Sequence, residues 1–350
     1  MRRLVILLLY LFATGLIFIV FITHPGINGY SRAMFPDTVY GKAYKPFVYR
    51  TLLPTTVRMI SQITPEHVKD RIRSAVEECN PQRKRIRMMK ALGWETEYIY
   101  EYLVALALMF SCFLGFAFLL RHLVKLFYDF PPFVADFAPV GALLILPVFF
   151  KFYSYMCDPV TLLLFSLAII LITGRRILPF YVVFLLATLN RETSILLSGI
   201  FLVRQFKHIR TFSLAGHLLL QASIWIAVKT SLAVIFKNNQ GAFIDFQLID
   251  HNLALIADSV TSPTFLYHLL YLAAVIIVFW VLVRYRWSEK PISLRCSFLI
   301  TAIPLALLVL LFGSIIELRV YHELFPFLFL LSLPTVVDIF KLGYDETGAG

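Results

Sequence analysis

From Leu4 to Thr23 the chain runs for 20 residues without a charged residue or a proline. At about 1.5 Å per residue such a helix matches the ~30 Å hydrocarbon core of a bilayer. Further apolar segments follow near Tyr98–Leu120, Pro132–Phe152, Pro159–Thr173, Ile177–Asn190, Thr193–Val203, Phe212–Phe236, Phe265–Val283, Cys296–Gly313 and Phe325–Lys341. Inside lipid every backbone N–H and C=O must bond within the protein, and continuous apolar runs, unlike alternating ones, satisfy that as helices. The expected fold is therefore all-α, a polytopic transmembrane bundle of about ten spans.

Two segments test that count, because Ile177–Asn190 has 14 residues and Thr193–Val203 has 11, against the ~17 of a full crossing. Charge decides between two short passes and one fused span. As separate passes, every even-numbered connection carries basic residues: Arg121 and Lys125; Arg175 and Arg176; Arg204, Lys207 and Arg210; Arg284, Arg286, Lys290 and Arg295. The positive-inside rule then places all of these, and both termini, in the cytoplasm. Fusing the pair reverses the last cluster and strands Arg191 and Glu192 at membrane depth, which is costly. The chain divides accordingly into a first helix (1–23), an extracytoplasmic loop (24–96), a multi-span bundle (97–341) and a short cytoplasmic tail (342–350).

Composition closes off other classes. With 59% apolar and only 15% charged residues, the chain lacks the polar surface of a soluble domain and the charge density of a disordered one. The net charge of +11 reads as a topology signal rather than a nucleic-acid footprint. Cys79, Cys112, Cys157 and Cys296 are scattered and have no histidine at metal-ligand spacing, so neither a disulfide framework nor a zinc site is expected. No ligand set for a metal is legible, and a divalent metal is left open as a cofactor. Nucleotide-loop, zincin and nucleophile-elbow motifs are absent.

The loop of residues 24–96 is the one long polar stretch, with 13 Lys/Arg against 6 Asp/Glu. From Pro46 a helical pattern sets Val48, Leu52, Met59 and Ile63 on one face and Arg50 and Arg58 on the other, as for a helix lying in the interface. Polar helices are expected over 66–78 and 82–92. A cationic surface of this kind attracts anionic lipid head groups or a lipid-linked phosphate.

Placed on this topology, the uncommon polar residues fall at the external boundary: Asp37, Asp158, Asn190-Arg191-Glu192, and the run from Glu317 through Arg319, Tyr321 and His322 to Glu323. Ionisable groups in short turns between apolar segments are expensive unless paired or lining a wet cavity. Asp37, beside Pro36 and Tyr40, reads either as a general base toward an acceptor hydroxyl or as a turn cap. Asp158-Pro159 opens a helix, so its carboxylate reads as an N-terminal cap or as a site residue. The break at 190–193 suggests helix termini aimed at an anion. Glu317, Arg319, Tyr321 and Glu323 alternate as in an extended or loop segment, where Arg319 can clamp a phosphate while Glu317 orients it, or the two form a structural ion pair. Arg50 is a further candidate to hold the phosphate. His24, His322, Tyr40, Tyr44 and Tyr49 read as a carbohydrate-stacking surface or as interfacial anchors; His217 and His268 read as members of a proton relay or, each being alone on its segment, as hydrogen-bonded packing histidines.

This arrangement of a first helix, a large external loop carrying amphipathic helices and Asp37, and then many short spans resembles the GT-C superfamily of polytopic glycosyltransferases. The resemblance implies transfer of a sugar from a polyprenyl-phosphate carrier on the extracytoplasmic side, with Asp37 as base and membrane lipids as partners. The chain departs from that plan in having no Asp-x-Asp pair and no large carboxy-terminal soluble domain. The stretches Pro46–Pro54 and Asn190–Thr193 also look like those of bacterial membrane proteins with the same layout, implying an inner-membrane location. Two other readings compete. A transporter or lipid flippase would use the 190–192 break as a discontinuous helix, but no internal repeat is visible. A non-catalytic scaffold would use the basic loop to bind a partner.

Overall fold

The computed structural model describes residues 2–24, 26–77, 89, 91–242, 246–258 and 262–342. Fourteen α-helices and no strand occur among the described residues. They are α1 (Arg2–Thr23), α2 (Phe35–Val39), α3 (Leu52–Ile63), α4 (Glu66–Glu77), α5 (Ile99–Phe127), α6 (Pro132–Ile145), α7 (Cys157–Thr173), α8 (Ile177–Asn190), α9 (Leu196–Gln205), α10 (Thr211–Ile235), α11 (Ala254–Asp258), α12 (Pro263–Arg284), α13 (Ile292–Phe312) and α14 (Phe325–Ile339). Six stretches are long and apolar enough to cross a membrane: α1, α5 with its preceding turn, α6 with its following turn, α10, α12 and α13. Helices α7, α8 and α14 are apolar but shorter. The chain thus has the build of a multi-pass integral membrane protein.

Element bounds follow the apolar runs closely, with physical reasons for the differences. Helix α5 continues to Phe127, carrying Arg121 and Lys125 into its last two turns, where cations complement the helix dipole. Helix α6 gives way at Leu146 to a 3-10 turn, Leu146–Phe150, with Pro147 near its start. The segment expected from Thr193 begins as a helix only at Leu196, after a 3-10 turn over Glu192–Ile195. The expected polar helix over 66–78 is α4; most of the one over 82–92, and positions 343–350 of the tail, lie outside the described residues.

In helix α3, Leu53, Pro54, Val57 and Ser61 are buried against the bundle, whereas Met59 and Ile63 of the expected apolar face are exposed. The apolar residues of α3 divide between protein and surroundings, and hydrophobicity alone showed only the outer stripe.

Helices α8 and α9 form a hairpin. Arg191 is extended (φ −158°, ψ 150°) and ends α8, while Arg175 before α8 bonds His208 after α9 at 3.0 Å and Gln205 donates to the Ile172 carbonyl at 2.6 Å. A fused helix is therefore excluded. Helix α7 packs between α5 and α8, and α9 packs on α13. Close approach is set by small residues: a Cβ on Gly115 would lie 2.9 Å from Leu163, and one on Gly199 would lie 3.1 Å from Ile300. In lipid, where apolar burial offers little gain, such packing is what associates helices.

The connections sort into two ends. At one, Asp136 takes hydrogen bonds from Arg2 (2.9 Å) and Arg121 (2.6 Å), Arg286 pairs with Asp338, and Lys290 donates to the Val283 carbonyl at 2.7 Å. At the other, Lys45 N–H donates to Gln240 (2.8 Å), Thr51 N–H to Leu189 (2.9 Å), and Trp225 to the Glu192 carbonyl (2.9 Å). The basic even-numbered connections share the first end and the candidate site residues the second.

Candidate functional site

The second end holds a buried ionic network assembled from five separate stretches of chain. Asp158 lies in the first turn of α7, fully enclosed. Its Oδ2 accepts the Tyr155 N–H at 3.0 Å, which precedes the helix, so the capping reading is corrected: the carboxylate holds the incoming turn, not a free helix amide. Its Oδ1 stands 3.9 Å from Arg191 Nη1 and 3.8 Å from His322 Nδ1. Asn190 closes α8 onto α7 by donating to the Cys157 carbonyl (3.1 Å) and Thr161 Oγ1 (2.9 Å). With α8 anchored there, the extended Arg191 swings its guanidinium to 3.3 Å from Glu323 Oε1, which Thr193 Oγ1 also bonds.

Around this inner set lies a second group. Glu192 stands 3.7 Å from Arg50 Nε, with Lys229 of α10 and Arg191 as further cationic neighbours. Burial opposes the Glu192 charge, but Arg50 and Lys229 outweigh it and hold the carboxyl below its ordinary range. Arg319 Nη2 bonds Glu317 Oε2 at 2.5 Å. The Arg319 guanidinium lies 4.0 Å from the Tyr155 ring centroid and that of Arg50 lies 5.7 Å from the same centroid. Phe47 stacks on Tyr155 as well, at 5.4 Å and 12°. Two arginines 269 positions apart thus meet at one aromatic plate, and burial raises the Tyr155 hydroxyl so that it stays protonated.

The network is formally balanced, with Arg50, Arg191, Arg319 and Lys229 against Asp158, Glu192, Glu317 and Glu323. Hydrogen bonding is incomplete on both sides. Arg50 Nε and Nη1, Arg319 Nε and Nη1 and Lys229 Nζ are buried without an acceptor, Arg191 Nη1 has only its ion pair with Glu323, and Asn190 Oδ1, Glu192 Oε1 and Glu323 Oε2 are buried without a donor. Buried donors of this kind are expensive, and an oxyanion is the ligand that satisfies several at once. The cavity beside Arg50, walled by Thr38, Phe47, Tyr155 and Cys157, is only 20 Å³. That holds one water, so a larger ligand must displace the first loop.

Of the candidates from sequence, Arg50, Asp158, Asn190, Arg191, Glu192, Glu317, Arg319 and His322 belong to this network. Two do not. Asp37 sits in the first turn of α2, close enough for its charge to act on Tyr98; Thr38, next to it, lines the small cavity, but the arginine ion pairs of the network go to Asp158, Glu192, Glu317 and Glu323. Tyr321 packs against the apolar core. Within 317–323, expected as an extended or loop segment, Leu318–Tyr321 forms a 3-10 turn. His322 and Tyr49 are buried and so do not belong to a carbohydrate-stacking face, while Tyr40 is exposed and donates its hydroxyl to Glu101 at 2.9 Å. His217 bonds the Tyr181 hydroxyl at 2.8 Å, a packing role as expected.

Sequence reasoning gave no role to Lys229 or Tyr155, and named Glu323 and Thr193 only as members of longer polar stretches. Lys229 carried a signal, as the one charged residue in the apolar run of α10; Tyr155 carried none. Among the described residues no group of three or more His, Cys, Asp or Glu could hold a metal. No family model, no curated protein and no solved structure matches this chain.

Proposed function

We propose that this chain is an integral membrane glycosyltransferase of the GT-C type, moving a sugar from a polyprenyl-phosphate-linked donor to an acceptor on the extracytoplasmic side. In this reading it crosses the bacterial inner membrane ten times with both termini in the cytoplasm, and the ionic network faces outward. One observation carries the proposal: Arg50, Arg191 and Arg319 converge on a buried site with N–H groups that lack acceptors. Such donors stabilise the negative charge that develops on a departing lipid phosphate.

The reaction balances as a direct displacement. The acceptor oxygen forms a bond to the anomeric carbon as the bond from that carbon to the phosphate oxygen breaks. The lipid phosphate leaves with the electron pair, and a carboxylate takes the acceptor proton. Asp37 is the base that the resemblance implies. Glu192 is its rival, because its side chain is the most exposed carboxylate of the network, at 34%, although Arg50 makes it a weaker base. Inversion at the anomeric centre follows from single displacement.

The test is turnover of a polyprenyl-phosphate sugar by the purified full chain in proteoliposomes. Asp37→Asn is expected to abolish transfer with expression and unfolding temperature unchanged, while Glu192→Gln retains part of it. The reverse pattern moves the base to Glu192. Movement of the lipid across the vesicle membrane without a new glycosidic bond replaces this proposal with the flippase reading, and repeating the assay with a chelator decides whether a divalent metal takes part.

A further inference from the structure

At the basic end, opposite the arginine network, a pocket of 460 Å³ opens where three stretches of chain meet: the turn from α7 into α8, the last turn of α9 with the residues after it, and the first turn of α13. That volume falls within the ~300–1,000 Å³ of small-ligand sites. Arg175 comes from the first stretch, Arg204 and Lys207 from the second, and Ser293 and Cys296 from the third; among the described residues no carboxylate lines the pocket. The ion pairs described at this end join Arg2 and Arg121 to Asp136, and Arg286 to Glu289 and Asp338. They include none of the three pocket cations. Arg175 donates to His208 Nδ1 at 3.0 Å, and the Arg204 guanidinium lies 5.3 Å from the Phe127 ring centroid. With five N–H donors on each arginine, those contacts leave most of them unused.

The nearby acceptors are already taken. The Ile170, Leu171 and Ile172 carbonyls at the end of α7 receive the N–H groups of Gly174, Arg176 and Arg175, and Gln205 adds a second bond to Ile172. On the facing wall α13 starts after Pro291 without a side-chain cap, and its first two residues, Ile292 and Ser293, line the pocket, adding the positive end of a helix dipole. The Thr173 hydroxyl, also in the lining, is buried without a partner. Three cations without countercharge around one cavity call for an oxyanion. The rim adds a second requirement. Phe206 and Ile292 are 63% and 69% exposed, so apolar side chains frame the mouth. A free anion gains nothing from such a rim, whereas a lipid whose acyl chains continue past it does.

We propose that this pocket binds the phosphodiester headgroup of an anionic phospholipid from the leaflet at the basic end. The bound headgroup ties the foot of the α8–α9 hairpin to α13. None of the candidate site residues takes part, and the site stands whether or not the opposite end transfers a sugar.

Cys296, exposed in the pocket lining, reports occupancy directly. The purified full chain is placed in vesicles of phosphatidylcholine, or of phosphatidylcholine and phosphatidylglycerol in equal parts. Uncharged N-ethylmaleimide is added for timed intervals, and the Cys296 peptide is quantified by mass spectrometry. Phosphatidylglycerol is expected to slow its alkylation about tenfold, as a site roughly nine-tenths occupied does by mass action. Arg175 and Lys207 are both exposed, so Arg175→Gln with Lys207→Gln leaves the packing intact. That double variant is expected to reduce the slowing to about twofold or less, the effect of a tenfold loss of affinity. Arg175→Lys with Lys207→Arg keeps both charges and should retain most of it. Comparing the two vesicles within each variant cancels the surface potential of the lipid. No slowing in the unaltered chain, or equal slowing in the glutamine variant, overturns the proposal. Inorganic phosphate slowing alkylation in phosphatidylcholine vesicles as strongly as phosphatidylglycerol does overturns the lipid as source and assigns the pocket to a free anion.

Discussion

A buried ion pair contributes little beyond its own desolvation, yet breaking one strands a charge and costs about 3–5 kcal/mol. Glu323 is fully buried and serves Arg191 and Thr193, so Glu323→Ala is expected to lower stability by roughly that amount, read by thermal unfolding in detergent. Arg319→Lys keeps the charge but loses the planar fork that both bonds Glu317 and lies on Tyr155. It is expected to cut transfer at least tenfold with little change in unfolding temperature; unchanged transfer would remove Arg319 from phosphate binding. Glu192 sets a pH dependence. Its folded carboxyl lies below the ordinary value of 4.5, so the unfolded chain binds the proton first and stability falls as pH drops below about 4.5. A scan of unfolding temperature from pH 7 to 3 should show that loss, and Glu192→Gln should flatten part of it. Most of these residues announce themselves because charge is rare between apolar runs. Glu323 and Lys229 gain a role only once the fold brings α14's approach and α10 against the hairpin, and Asp37's separation from the network depends on which way a one-turn helix faces.

At the level of elements, long apolar helices are easy to locate because lipid leaves their backbones no alternative. Their partners are harder to foresee, since hydropathy around α7 or α8 is nearly uniform and points to no face. Small residues decide instead. Gly115 leaves room for Leu163 of α7, so Gly115→Val forces overpacking and is expected to cost about 1–3 kcal/mol, measurable as lower thermal stability. Had the α5–α7 contact been loose, the substitution would be neutral. The amphipathic α3 shows the opposite difficulty, with two apolar stripes of which only the Leu53/Val57 side packs inward.

For the whole molecule, the basic even-numbered connections were readable from charge alone, and the structure gathers them at one end and the candidate site residues at the other. Their sidedness is tested with an impermeant thiol reagent in a Cys79→Ser, Cys296→Ser background, since Cys79 belongs to the first loop and Cys296 is exposed at the basic end. Asn238→Cys, exposed beyond α10, should react in intact cells, and Lys207→Cys, exposed after α9, only after permeabilisation. The reverse order would turn the site toward the cytoplasm. What charge patterning cannot convey is lateral position: residues at one depth can ring a bundle or share one chamber, and only packing distinguishes these.

The α8–α9 hairpin has a further consequence. Its arms of 14 and 10 residues span about 21 and 15 Å, well short of their neighbours. Lipid touching it must thin, or water must dip toward the Arg191 turn, and either adjustment grows dearer as acyl chains lengthen. Reconstitution across a series of phosphatidylcholines of increasing chain length should therefore depress turnover progressively, making membrane thickness itself a modulator of this protein.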